Sequence, residues 1–181
     1  MSIEQLVKTH EDGGELHRIY PRRFKAGGRP RELYVGTTIE RQLDPRTRGA
    51  RQVRELWAKV GADLFIFANG AELAVRREGA TQDGDEQSNL ARLEPRPEEE
   101  VWELRTQLEM VGVRIFGRFF LKNHFVGLTW HYKVDLLGPQ AYDLARLECQ
   151  IEWDRLFYGE RFLRGVHPDD YVSRTRLVPR R

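Results

Sequence analysis

The first clear hydrophobic pattern in the chain has the period of a helix. Asp44 followed by Pro45 is typical of a helix N-cap and first helical residue. The apolar positions that follow share one helical stripe: Val53, Leu56, Trp57 and Val60. Gly61 predicts the end of this helix. The next stretch, ADLFIFANGAELAV, predicts a short apolar strand followed by a hairpin turn at Asn69-Gly70.

The middle of the chain changes to a period of two. Apolar and polar residues alternate from Val101 to Leu108, which predicts a strand. Two apolar runs follow, at 113–121 and 124–132, on either side of Lys122-Asn123. A two-residue turn there predicts an antiparallel hairpin and fixes its register. The predicted opposite pairs include Arg114 with His131, Ile115 with Trp130, Gly117 with Leu128, and Phe119 with Val126.

A second helix is predicted to begin after Gly138-Pro139 and to continue to Phe157. Its apolar residues cover much of its circumference, which predicts a helix packed between the sheet and other elements. The order of elements predicts an α+β fold, in which an N-terminal helix and a C-terminal helix pack on an antiparallel sheet of three to five strands. Extensions are expected at both ends of the chain.

These patterns divide the chain into three parts. Residues 1–36 are predicted to form a basic arm or irregular subdomain, residues 37–158 the α+β core, and residues 159–181 a wrapping tail. Within the core, the polar, turn-rich segment 78–89 is predicted to be a mobile loop. Charge is distributed unevenly, because residues 78–109 contain ten acidic and three basic residues while the net charge of the chain is only +2.

Composition narrows the class of protein. The 181 residues are 40% hydrophobic and 32% charged, as expected for a globular domain. A single cysteine, Cys149, excludes a disulfide framework and a cysteine-rich metal site, and the five histidines show no metal-ligand spacing. No apolar segment approaches the roughly 18 residues of a membrane-spanning helix, and no signal peptide is recognisable. These features predict a cytoplasmic protein without membrane contact.

Candidate chemistry lies on the second face of the predicted sheet. That face carries five basic residues around Phe116: Arg105, Arg114, Arg118, His131 and Lys133. Cations beside an aromatic ring suit single-stranded nucleic acid, because cations bind phosphates and a ring stacks on a base. Arg22 and Arg23 of the arm are further candidates for phosphate contact. The alternative is a solvated sheet face on which Glu103 and its acidic neighbours pair with the arginines.

Three short segments of the predicted strands form a recognisable set: Glu103-Leu104-Arg105, Arg114-Ile115-Phe116 and the strand end from Trp130 to Lys133. Together they resemble the RelE/HigB/ParE toxin superfamily, including distant phage- and plasmid-type proteins. The resemblance covers about residues 45–157. It implies a toxin or a toxin-derived protein directed at RNA, with the ribosome and an antitoxin as expected partners.

The ribonucleases of this superfamily cut mRNA without a metal or other cofactor. By the resemblance, Arg105 and Arg114 would hold phosphate, His131 or Tyr132 would act in proton transfer, and Lys133 would stabilise charge on the cleaved phosphate. The alternation places His131 on the basic face and Tyr132 on the apolar face, so His131 is the candidate. Histidine suits such acid–base chemistry because its pKa lies near neutrality. Two alternatives remain open: a non-catalytic protein-interaction protein of a phage or other mobile element, and a plain nucleic-acid-binding module.

Overall fold

A computed structural model describes residues 1–21, 30–46, 49–76, 88–93, 96–106 and 112–178. The helices are α1 (Ile3–Asp12), α2 (Thr37–Leu43), α3 (Arg51–Ala68), α4 (Pro139–Phe157) and α5 (Pro168–Tyr171). The strands are β1 (Leu16–Arg18), β2 (Glu32–Gly36), β3 (Leu73–Val75), β4 (Leu90–Arg92), β5 (Trp102–Arg105), β6 (Val113–Leu121), β7 (His124–Tyr132) and β8 (Thr175–Leu177). Short 3-10 turns occupy Pro97–Glu99 and Lys133–Asp135.

The eight strands of the described residues form one mixed sheet in the order β1-β2-β7-β6-β5-β4-β3-β8. The pairs β2–β7, β3–β4 and β3–β8 are parallel, and the other neighbours are antiparallel. The prediction of an antiparallel sheet of three to five strands is therefore wrong, although the molecule does combine helices with a sheet. Four of the strands, β1, β3, β4 and β8, have three residues each. Strands this short show no readable alternation.

Helices cover both faces of the sheet. One hydrophobic core lies between the sheet and α2, α3 and α5, and it contains Ile39, Trp57 and Tyr171. A second core lies between the sheet and α1 and α4, and it contains Val7 and Trp153. The sheet face that carries the candidate basic residues is the one beneath α4.

The helix α3 differs from its prediction at both ends. It begins at Arg51 rather than Pro45, and it continues through the DLFIFA segment, where a strand was predicted, to Ala68. The helical stripe continues because Leu64 and Phe67 are buried on the same face as Trp57. Gly61 does not end the helix, and Gly70, with φ of 72°, follows the helix rather than forming a hairpin.

The β6–β7 hairpin and its Lys122-Asn123 turn are confirmed, with Asn123 in the left-handed region at φ 66°. The predicted register is correct near the open end of the hairpin, where Arg114 lies opposite His131. In the middle it shifts by one residue, so that Gly117 lies opposite Gly127. A Cβ atom on Gly117 would collide with the carbonyl oxygen of Val126, so the shifted pairing depends on glycine.

The bulge changes which residues share a face. Phe119 and Phe125 lie in the core beneath α3, whereas Val126 and Leu128 join Phe116 in the core beneath α4. The prediction that Val126 and Leu128 share a face with Phe119 is therefore wrong. A one-residue shift moves every following side chain to the opposite face of a strand.

Candidate functional site

Three of the predicted site residues form one row across neighbouring strands. Arg105 of β5 lies opposite Arg114 of β6, and Arg114 lies opposite His131 of β7. The antiparallel pairings β5–β6 and β6–β7 produce this row because each aligned residue projects from the same face of the sheet. The row lies where β5 and β7 end and β6 begins.

A buried carboxylate pairs with both arginines of this row. Glu103, two residues before Arg105 on the same strand face, is completely buried. Its Oε2 accepts a hydrogen bond from Arg105 Nε at 3.0 Å, and its Oε1 lies 2.8 Å from Arg114 Nε. The sequence analysis gave as an alternative that Glu103 pairs with these arginines, and this pairing is present. The site is a compact ion-pair cluster beneath α4 rather than a solvated basic face.

Two further predicted residues are enclosed by the hydrophobic core. Arg118 is buried, donates to the Glu99 carbonyl at 2.9 Å, and lies 4.1 Å from the ring centroid of Phe162. Burial lowers the pKa of the Arg118 guanidinium. Phe116 is also fully buried, and its ring packs edge-on against His131 and Tyr142. With these contacts, neither side chain is placed to meet a phosphate or stack on a base.

His131 and Lys133 are the more accessible members of the predicted set. His131 Nε2 lies 2.9 Å from Oε2 of Glu148, which is an ion pair when the imidazole is protonated. The Lys133 backbone N–H donates to the Gly112 carbonyl at 2.7 Å, and its side chain is half-buried. Arg22 and Arg23 lie outside the described residues.

Sequence reasoning missed the acidic and basic partners contributed by α4. Arg146 is buried, with Nε 2.6 Å from Glu99 Oε2 and Nη2 2.8 Å from Asp143 Oδ1. Because Arg146 directly follows Ala145 and precedes Cys149 by three positions, it falls on the buried side of α4. The sequence could therefore have predicted this ion pair, because a cation on the apolar stripe of a helix requires a buried anion as its partner.

The opposite side of α4 is apolar and uncovered. Leu144, Leu147 and Ile151 are 56%, 49% and 60% exposed. Leu137, before the helix, and Tyr158, after it, are also exposed at 80% and 91%. We name these five residues the outer stripe. The spacing of three and four residues places Leu144, Leu147 and Ile151 along one line of the helix surface, and Leu137 and Tyr158 lie just beyond the two ends of the helix. The sequence showed that α4 is apolar over much of its circumference, and the structure separates that surface into an inner and an outer face.

Other site types receive no support from the described residues. Among those residues, no group of three His, Cys, Asp or Glu side chains is arranged to hold a metal ion. Cys149 is completely buried, and burial raises the pKa of its thiol to about 12, so the reactive thiolate is disfavoured. None of the described helices has the length and apolarity that crossing a membrane requires.

Comparison with known proteins identifies no relative: no protein-family model, no curated protein and no solved structure matches the chain. The site therefore has to be interpreted from its own geometry.

Proposed function

We propose that this protein acts by binding another protein through the outer stripe of α4, without catalysing a reaction. The observation that carries the proposal is the exposure of Leu144, Leu147 and Ile151 along a single line of the longest helix described. Scattered exposed apolar residues are normal, whereas a contiguous apolar patch marks an interaction surface.

The geometry of the basic row supports a structural role for its arginines. Arg105 and Arg114 both contact the completely buried Glu103, and their side chains are 8% and 9% exposed. An RNA phosphate would have to displace that carboxylate and enter a space that α4 covers. Removing a buried carboxylate from two arginines is costly because it leaves uncompensated charge. The two arginines therefore link β5 to β6 through Glu103.

A photo-crosslinking amino acid at Leu147 tests the proposal in cells that express the full chain. We expect a discrete adduct with a second protein from position 147. The matched control is the same crosslinker at Ile66, which is 50% exposed on α3, on the other side of the sheet. The proposal is wrong if position 147 yields no more adduct than position 66.

A second candidate function is the RNA-directed activity that the RelE resemblance implies. One observation favours it: Arg105, Arg114 and His131 lie in register across three strands, at the sheet end that also carries Lys133. Purified protein should be incubated with ribosomes carrying mRNA, beside a His131→Ala variant. Cleavage by the wild type that His131→Ala abolishes would establish this function and overturn the non-catalytic proposal. Intact mRNA in both reactions would exclude ribosome-dependent cleavage.

A further inference from the structure

Resting on the proposed function, we infer the chemistry of the partner: an amphipathic helix whose apolar stripe is bordered by basic residues. The outer stripe fits a helix because its spacing of three and four residues matches the ridges by which helices pack along each other. The α4 helix has 19 residues, so it offers a surface on the order of 28 Å long. A partner helix of five turns would cover that length.

The two edges of the outer stripe determine the charge of the partner. Asp143 and Asp154 lie along one edge, and both are exposed. Glu148 lies along the other edge, and its side chain is 42% exposed. Asp143 also contacts Arg146 and Glu148 contacts His131, but the side chains of both acids stay 54% and 42% exposed. A basic side chain on the partner would therefore find an exposed carboxylate on either side of the apolar contact.

The nearby cation does not reverse this charge. Arg155 follows Glu148 on the second edge, but its guanidinium is held by Glu152 at 2.8 Å and by Glu15 at 2.6 Å. The hydrogen bonds that Arg155 donates to these two carboxylates raise its pKa further above its ordinary value. The charge of Arg155 is thus already compensated within the chain, and the edges of the stripe remain acidic.

The same edges disfavour a second copy of this chain as the occupant. An antiparallel two-fold pairing of α4 helices brings identical edges together, so Asp143 of one copy approaches Asp154 of the other. A parallel pairing brings opposite edges together, so Asp143 approaches Glu148. Both arrangements place carboxylates against carboxylates. Like charges that flank the contact between two helices repel each other, so they disfavour a dimer of this chain.

Two synthetic helical peptides and the full-length protein test the inference. Both peptides carry leucine at alternating spacings of three and four; one has lysine and the other glutamate at the bordering positions. Fluorescence anisotropy measures each dissociation constant. We expect the lysine peptide to bind at least about tenfold more tightly, and this preference to weaken as salt screens the charges.

Substitutions in the protein test whether the lysine peptide binds at the outer stripe. Leu147→Asp should abolish binding of the lysine peptide, whereas Ile66→Asp, the matched control on α3, should leave it unchanged. Asp143→Asn combined with Asp154→Asn should narrow the difference between the two peptides by removing the charge from one edge. Circular dichroism of each variant verifies that the helices remain folded.

The outcomes separate this inference from the proposed function. Equal affinity for both peptides, or a wild-type dimer in sedimentation that Leu147→Asp dissociates, would overturn the basic-helix inference. If neither peptide binds while the crosslinker at Leu147 still captures a protein, the partner is of another kind and the proposed function stands. If the crosslinker also captures nothing, both are wrong.

Discussion

The Oε1 atom of Glu103 lies 2.8 Å from the Nε atom of Arg114, and both side chains are buried beneath α4. Glu103 also contacts Arg105, so one carboxylate serves two arginines that face each other across β5 and β6. Without it, two like charges would be buried opposite each other in the sheet. This relationship makes the stability of the paired arginines depend on Glu103.

Replacing Glu103 with glutamine should therefore be strongly destabilising. The substitution keeps the shape of the side chain and removes its charge, and we expect the free energy of unfolding to fall by roughly 3 to 5 kcal/mol. Urea denaturation monitored by tryptophan fluorescence measures this change. The matched control is Arg51→Ala, which removes the exposed Arg51–Glu55 pair and should cost about 1 kcal/mol or less. A Glu103→Gln effect no larger than that control would contradict the structural role.

Arg31 should be a second strong determinant of stability. Its buried guanidinium donates to the carbonyl oxygens of Phe67, Ala71 and Ser173, and burial lowers its pKa to about 10. Arg31→Met would leave these carbonyls without this donor, and we expect a loss of about 3 kcal/mol or more.

The control for Arg31 is Arg176→Met on β8, where Arg176 pairs with Glu72 in an exposed position. It should change the free energy of unfolding by about 1 kcal/mol or less. Thermal unfolding of both variants at one pH gives the comparison. Equal effects would show that the three carbonyl contacts of Arg31 do not stabilise the fold.

The bulge in the β6–β7 hairpin should depend on Gly117. An alanine there would place its Cβ against the Val126 carbonyl and the Phe125 ring. We expect Gly117→Ala to destabilise the protein by about 3 kcal/mol, because overpacking forces the strands apart. Gly49→Ala is the control, since a Cβ at Gly49 meets open space. It should change stability by no more than about 0.5 kcal/mol, and urea midpoints that coincide for the two variants would exclude the expected collision.

Stability should fall at alkaline pH because of Cys149. Burial raises the pKa of its thiol to about 12 in the folded protein from 9.0. The unfolded chain therefore loses this proton first, so the stabilising contribution is complete below pH 9 and is lost as the pH rises toward 12. Between pH 9 and 10, stability should decline by roughly 1 kcal/mol through this group.

Cys149→Ala removes that thiol and should flatten the pH dependence in the same interval. Burial also raises the pKa values of Tyr34 and Tyr171. Their titration adds a decline near pH 10 that is the same in both proteins, so the difference between the two slopes reports Cys149. Urea denaturation at pH 8, 9 and 10 tests the expectation. Identical slopes for the wild type and the variant would show that Cys149 is not the titrating group.

Part of the candidate site followed from the sequence. The turn at Lys122-Asn123 and the alternation of β6 placed Arg114 opposite His131, and the structure has that pair in register. Alternation in β5 also placed Glu103 and Arg105 on one strand face. Local pattern suffices for these relationships because the turn of a hairpin and the period of a strand fix neighbouring side chains.

The burial of that row did not follow from the sequence. Whether α4 lies over Arg114 or leaves it in water depends on contacts between residues far apart in the chain, such as Arg146 with Glu99. The choice of helix rather than strand at 62–68 was likewise made by the core, where Leu64 and Phe67 pack with Trp57. Short apolar segments are compatible with either structure until their neighbours are known.

The sequence by itself determined the β6–β7 hairpin, the position of α4 and the pairing of Arg114 with His131, because each is a property of adjacent residues. Only the tertiary structure decided that the described residues form an eight-stranded sheet, that Glu103 is buried between Arg105 and Arg114, and that the exposed apolar surface lies on the outside of α4. Three-residue strands, buried ion pairs and helix faces acquire their roles through long-range packing. The hydrophobic periodicity of a short segment does not predict its contacts with residues far away in the chain.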